Sequence, residues 1–214
     1  ENVQNLNGMF SGCSNVAALD VSKFKTTAAK HMNNMFNGCS SLTSLDVSNF
    51  KTENVENLSF MFYGCSGLTN LELSKWDTSN VNNVGGMFYG CSKLASINLA
   101  NWKTPKLTNM NSMFSGCSKL ERVDFTNWDT SNVTITSGAF NKCFALTSVV
   151  GLGSLDTSKV TDMNSMFDSC VKLVSLDLSN WNTGNVQTSL DMYKGCSALA
   201  EVKVGTGYTL GFLA

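Results

Sequence analysis

The chain has 214 residues, of which 43% are apolar and only 14% charged, and its formal net charge is −1. That balance excludes a nucleic-acid binder, which needs a basic face, and no run of about 18 apolar residues is present to span a membrane. A single proline and an even composition leave no linker, so residues 1–214 read as one domain whose surface is built largely from Ser, Thr and Asn.

Taken in chain order, one phrase recurs. Cys13, Cys39, Cys65, Cys91, Cys117, Cys143, Cys170 and Cys196 stand 26 residues apart, except for a gap of 27 between Cys143 and Cys170. Such a period marks a stack of similar coils, each covering the apolar edge of its neighbour. Each unit opens on a short polar approach and a Met-Phe pair, which becomes Ala139-Phe140 and Met192-Tyr193 in two later units. Met32, Met35 and Phe36 lie three and four apart, which predicts one turn of α- or 3₁₀-helix. The glycine before most cysteines (Gly12, Gly38, Gly64, Gly90, Gly116 and Gly195) is where such a turn ends in the left-handed conformation.

A Leu-x-x-Leu-x-Leu segment follows, as in Leu42, Leu45 and Val47 or Leu68, Leu71 and Leu73. Its last two apolar residues flank a polar one, the alternation of a half-buried strand. Next comes an aromatic row (Phe24, Phe50, Trp76, Trp102, Trp128 and Trp181), interrupted by Leu155. An unbroken threonine row runs through Thr26, Thr52, Thr78, Thr104, Thr130, Thr157 and Thr183. Buried hydroxyls need partners, most simply a backbone carbonyl of the next coil. Ser-Asn before Val81 and Val133 suits a corner. The expected class is α/β. It is a solenoid of about eight 26-residue coils rising about 4.8 Å each, with parallel strands on one face and short helical or 3₁₀ turns on the other.

Eight cysteines invite a disulfide framework. In-register side chains point the same way, however, and do not converge to the separation of about 3.8 Å that a bridge prefers. A ladder of buried free thiols is the favoured reading, with four bridged pairs the alternative. The stretch around Cys143 breaks the pattern: Lys142 replaces Gly, Phe144 replaces Ser, and 149–154 carry one extra residue. A β-bulge tolerated by Gly151 and Gly153 is expected there, with a hinge or ligand notch as the alternative.

No catalytic or metal-binding constellation is evident. His31 is the single histidine and has no apparent partner. The expectation is no enzyme, no cofactor and no metal. The best binding candidate is the polar row between the strand leucines: Asp20, Asp46, Glu72, Asn98, Asp124 and Asp177, with Val150 and Lys203 completing it. Stacked like charges repel, so keeping them on one face points to use as an extended binding surface. Simple solvation of the row is the competing reading. Calcium along this row is disfavoured, since one carboxylate per coil falls short of the usual ligand number. A secondary surface candidate is the pair Tyr63 and Tyr89, at one register in adjacent coils, offering stacked rings to a sugar or apolar patch.

The phrases MFYGCSGLTNLELSKWDTSNVNNVGGMFYGCS and MFDSCVKLVSLDLSNWNTGNV closely resemble the 26-residue leucine-rich repeat of bacterial surface proteins of the BspA-like group. The resemblance runs from about Leu6 to Val204, and 138–149 look more like the group's shorter repeat. It implies a right-handed solenoid exported by a bacterium, on the cell surface or secreted. The implied role is a protein- or glycan-binding adhesion module with a host extracellular partner. A spacer presenting another domain is the alternative. The chain starts at Glu1 and stops inside a coil-like ending, so a fragment of a longer surface protein is expected. Its ends lack polar caps, which predicts a tendency to end-to-end self-association.

Overall fold

The computed structural model describes residues 3–210; residues 1–2 and 211–214 of the expected domain lie outside them. The described chain is a repeat solenoid. Successive coils are joined by hydrogen bonds between residues 25, 26 or 27 positions apart.

The Met-Phe segments are not the helical turns expected of them, and no α-helix occurs among the described residues. Alternate amides take different routes. Met35, Asn37 and Cys39 donate to Met32, Asn34 and Phe36, closing tight turns within the coil. The amides between them, of Asn34, Phe36 and Gly38, donate to Ser59, Met61 and Tyr63 of the next coil. A helix would spend every amide on its own axis, whereas here half of them tie the stack together. Left-handed residues four apart make this possible. Gly38 adopts φ +75° and Asn34 φ +58°, and the pairing recurs at Gly8 with Gly12 and at Ser112 with Gly116. The pre-cysteine glycines are therefore left-handed as expected.

Strands are sparse. β1 (Arg122–Asp124) pairs in parallel with β2 (Ser148–Val150), and β3 (Ser175–Leu178) pairs in parallel with β4 (Glu201–Val204). In the remaining coils the Leu-x-Leu segments form no strand pairing among the described residues, apart from a bridge between Ser96 and Arg122. The continuous ladder runs instead through the approach to Met-Phe. Single parallel bridges link Asn5, His31, Asn57, Asn83, Asn109, Ile135, Asp162 and Thr188 in turn. The difference follows from solvation: backbone groups on the exposed leucine face can bond to water, while those of the buried turn segment must find protein partners.

The core is a set of columns. Phe36, Phe62 and Phe88 stack with centroids 5.6 and 5.8 Å apart, and Trp76, Trp102 and Trp128 with centroids 6.5 and 5.7 Å apart. Burying each such ring contributes about 1.5–3 kcal/mol. The indole N–H of Trp102 reaches the Leu73 carbonyl at 3.3 Å, so the polar edge of the ring is satisfied inside the core. All eight cysteines are free, and Cys39, Cys65, Cys91, Cys117, Cys143 and Cys170 are buried. Cys91 Sγ donates to the Phe62 carbonyl at 3.1 Å, and Cys117 Sγ to that of Phe88 at 3.0 Å.

The threonine row bonds to the next coil, as Thr104 does to the Asp129 carbonyl at 2.9 Å. Thr52 departs from it, since its buried hydroxyl has no partner. The asparagines read as corner residues do more than turn the chain: Asn80 Nδ2 donates back to the Glu53 carbonyl at 2.7 Å and Asn132 Nδ2 to that of Pro105 at 2.9 Å.

The extra residue near Cys143 forms no β-bulge. It is absorbed by a 3₁₀ turn over Leu152–Ser154. Gly151 enters that turn at φ +76°, where a Cβ would fall 2.8 Å from the Thr126 nitrogen. Leu152 is buried, and its carbonyl accepts the Trp181 indole N–H at 2.9 Å.

Candidate functional site: the leucine face and its groove

Leu45 and Leu71 point into the core, 7% exposed each, and alternation turns Asp46 and Glu72 outward. Asp20, Asp46, Glu72, Asn98 and Asp177 are exposed and Asp124 is half-buried, so the predicted row does face outward. It is not one uniform acidic strip. Asp46, Glu72 and Asn98 share a shallow groove of about 690 Å³, floored by Leu45, Leu71 and Ile97 and edged by Lys75. Asp177 lines a second depression of about 440 Å³ beside the 3₁₀ turn. Asp20 and Asp124 line neither.

The carboxylates are held rather than loose. Asp46 Oδ1 accepts the Ser48 backbone N–H at 2.9 Å, and Glu72 Oε1 accepts that of Ser74 at 2.7 Å. Asp20 and Asp124 do the same with Ser22 and Thr126, and Asn98 with Ala100. These short-range bonds fix the corner where each strand segment ends. They also lower the carboxyl pKa values. For Asp46 and Glu72 the serine two residues on acts through its hydroxyl and its amide, with Lys75 adding a smaller attraction. Asp177 falls from 3.8 to about 2, through the Ser179 hydroxyl and amide and then the Lys203 ammonium 3.2 Å away. Arg122 stands 3.6 Å from Asp124. Local hydrogen bonds and these cations offset the repulsion that stacked carboxylates would otherwise suffer.

The groove has a second kind of polar group. The backbone N–H groups of its lining residues Ser44, Leu45 and Asp46, and of Asn70, Leu71 and Glu72, make no hydrogen bond among the described residues. The coils are unlaced there and tightly laced behind, through the Met-Phe segments. The groove therefore combines a narrow apolar floor, unpaired backbone amides and two fixed carboxylates. It can hydrogen-bond an elongated ligand through main chain and side chain together.

Tyr63 and Tyr89 lie on the opposite, turn side. Their rings stack with centroids 4.6 Å apart and planes 8° from parallel. Tyr89 is 37% exposed and Tyr63 half-buried. A third ring, Phe60, joins them: it is 39% exposed and meets Tyr63 edge-on at 5.9 Å. Sequence reasoning missed Phe60. The available signal was its register, held in other coils by Gly8, Asn34, Gly86, Ser112, Gly138, Ser165 and Asp191. It also missed the unpaired amides, which leave no trace in a repeat pattern. His31 contributes a backbone bridge on the turn side. Among the described residues no three or more His, Cys, Asp or Glu side chains are grouped to hold a metal ion, and no helix is long and apolar enough to cross a membrane.

Comparison with known proteins follows the repeat. The family described as "Mycoplasma protein of unknown function, DUF285" matches in three overlapping stretches, 1–96, 64–152 and 108–204. No curated protein matches the sequence. Among solved structures, a leucine-rich repeat protein from Bacteroides ovatus ATCC 8483 is 17% identical, with a TM-score of 0.40 over 92% of this chain and 63% of that one. A leucine rich cell surface protein from Faecalibacterium prausnitzii A2-165 is 16% identical, with a TM-score of 0.22 over 83% of this chain and 77% of its own. The chain thus spans 63% of the length of the first of these structures.

Proposed function

We propose that this chain, which belongs to the DUF285 family, is a non-enzymatic binding module on a bacterial surface. That family is compatible with the BspA-like leucine-rich-repeat resemblance of the sequence. In this reading the chain is a right-handed solenoid of about eight coils, displayed outside the cell. It takes a host extracellular protein or glycan along its leucine face. The observation that carries the reading is the groove over Asp46, Glu72 and Asn98, where exposed carboxylates and unpaired backbone amides lie together. A solenoid built only to hold its coils together has no need to leave that face unlaced while lacing the other.

A second reading, a spacer that presents another domain, is favoured by one observation. Each acidic residue of the row already has structural work, accepting the amide two residues on. The two readings separate on an array of extracellular-matrix proteins and glycans, probed with the wild-type chain and with Asp46→Asn/Glu72→Gln. Both substitutions keep an acceptor for the corner amide, so the fold is retained. A signal that the double variant loses supports the binding module. Silence from the folded wild type, or a signal indifferent to the substitutions, supports the spacer.

A further inference from the structure

We infer that Phe60, Tyr63 and Tyr89 form a second site, on the turn side of the solenoid, that stacks against an uncharged sugar ring. The inference is independent of the leucine-face groove. Its first support is backbone strain: Phe60 is held at φ +56°, a conformation in which a bulky residue is a genuine outlier. Other coils meet the same demand with glycine, asparagine or aspartate, which tolerate it better, or with the smaller serine. Strain of this kind persists where surrounding structure enforces it, and it concentrates at functional positions.

The second support is the shape of the cluster. The Phe60 ring lies over Gly86, where a Cβ would fall 2.4 Å from Cε1, so the next coil has cleared space for it. Its plane meets that of Tyr63 at 62°, and Tyr63 is backed by Tyr89. The result is an aromatic corner with an exposed ring on one side and a rigid, two-ring wall on the other. The electron-rich face of an aromatic ring attracts the polarised C–H bonds of a pyranose.

The third support is charge. Turn segments 33–38, 59–64, 85–90 and 111–116, which surround the corner, contain no charged residue. They present amides and hydroxyls instead, among them Asn37, whose Nδ2 donates to Asn34 Oδ1 at 2.9 Å. An anionic ligand finds no cation there and a cationic one no carboxylate. A neutral glycan, recognised by ring stacking and hydrogen bonds, fits the composition.

The test is titration of the whole chain with neutral hexasaccharides (β-1,3-glucan, β-1,4-glucan, mannan and chitin oligomers), followed by NMR, with polygalacturonate as the anionic control. The comparison variants are Phe60→Asn, which installs the residue found at that register in the neighbouring coil, and Tyr63→Ser/Tyr89→Ser. The expected result is saturable binding of at least one neutral oligomer. Phe60→Asn weakens it about tenfold or more while its Tm stays level or rises, because Asn accepts the left-handed backbone. Asp46→Asn/Glu72→Gln leaves this binding unchanged, which separates the site from the groove. Three results overturn the inference: silence across the neutral panel, binding indifferent to Phe60→Asn, or a Tm loss in Phe60→Asn showing that the ring serves packing.

Discussion

Thr78 and Lys103 hold adjacent coils together by a reciprocal pair of hydrogen bonds. Thr78 Oγ1 donates to the Lys103 carbonyl at 2.8 Å and accepts the Lys103 N–H at 3.1 Å. Thr26 with Lys51 and Thr157 with Asn182 repeat the arrangement. In each of these three coils one buried hydroxyl thus satisfies two backbone groups of its neighbour.

Replacing Thr78 with Val leaves both Lys103 groups without that partner and is expected to cost about 1–3 kcal/mol. Thr52→Val is the internal control. Its hydroxyl is buried without a partner, so the same substitution there is expected to be neutral or stabilising. Urea midpoints of the two variants check this, and equal losses would refute the pairing as the source of stability.

The thiol ladder is expected to be inert in the folded chain. Burial pushes Cys65 and Cys143 up from 9.0 to about 12, and Cys91 and Cys117 rise for the same cause. Only a thiolate reacts readily. Iodoacetamide at pH 8 is therefore expected to modify the half-exposed Cys13 and Cys196 first and to reach the buried thiols only after unfolding. Because the folded chain keeps protons that the unfolded chain releases near 9.0, stability is fully present below that pH and is lost as pH rises beyond it. Mass spectrometry of labelled protein and alkaline melting curves measure the two effects.

At the acid end the sign reverses. The carboxyls of Asp46, Glu72, Asp124 and Asp177 are lowered in the folded chain, so their contribution is present above the ordinary carboxylate value. It is lost as pH falls through the folded one, which for Asp177 means between 3.8 and about 2. The Tm is expected to drop across that window, and Asp177→Asn to flatten part of the drop. A wild-type Tm constant from pH 5 to 2 would contradict this.

Gly151→Ala is expected to destabilise by about 1–3 kcal/mol, the cost of a strained backbone, and by more where the added Cβ meets Thr126. Gly184→Ala serves as the reference, since an added Cβ there meets only the Asn182 side chain, at 3.3 Å. Equal Tm values for the two would remove the case for a required left-handed entry to the 3₁₀ turn.

Much of this architecture is legible in the sequence because stacking repeats an environment. A row of Cys, Thr or Trp can be read as a row of buried side chains, and glycine before cysteine as a left-handed turn end. Other features depend on backbone groups, which the sequence does not display. Nothing in Leu45 or Leu71 says that the amides around them go unpaired, since leucines alternate in the same way whether or not a ladder forms. The spacing of Met32, Met35 and Phe36 looks helical because it keeps apolar groups on one side, yet alternate amides leave the coil. Phe60 hides for a different reason: phenylalanine is a poor left-handed residue, so its identity argues against the conformation it adopts. Alternation with the buried leucines turns most of the acidic row outward, but its subdivision depends on where the coils are unlaced.

The most direct measurement is amide hydrogen exchange of the native chain, residue by residue. The central claim is that the turn side is the laced spine and the leucine face an open groove. It predicts fast exchange at Ser44, Asp46, Asn70 and Glu72, whose amides are unpaired, and slow exchange at Phe36, Gly38, Phe62 and Gly64, whose amides bond to the next coil. Comparable protection on both faces would mean that the leucine segments are laced as well, and the groove as a binding surface would fall with that result.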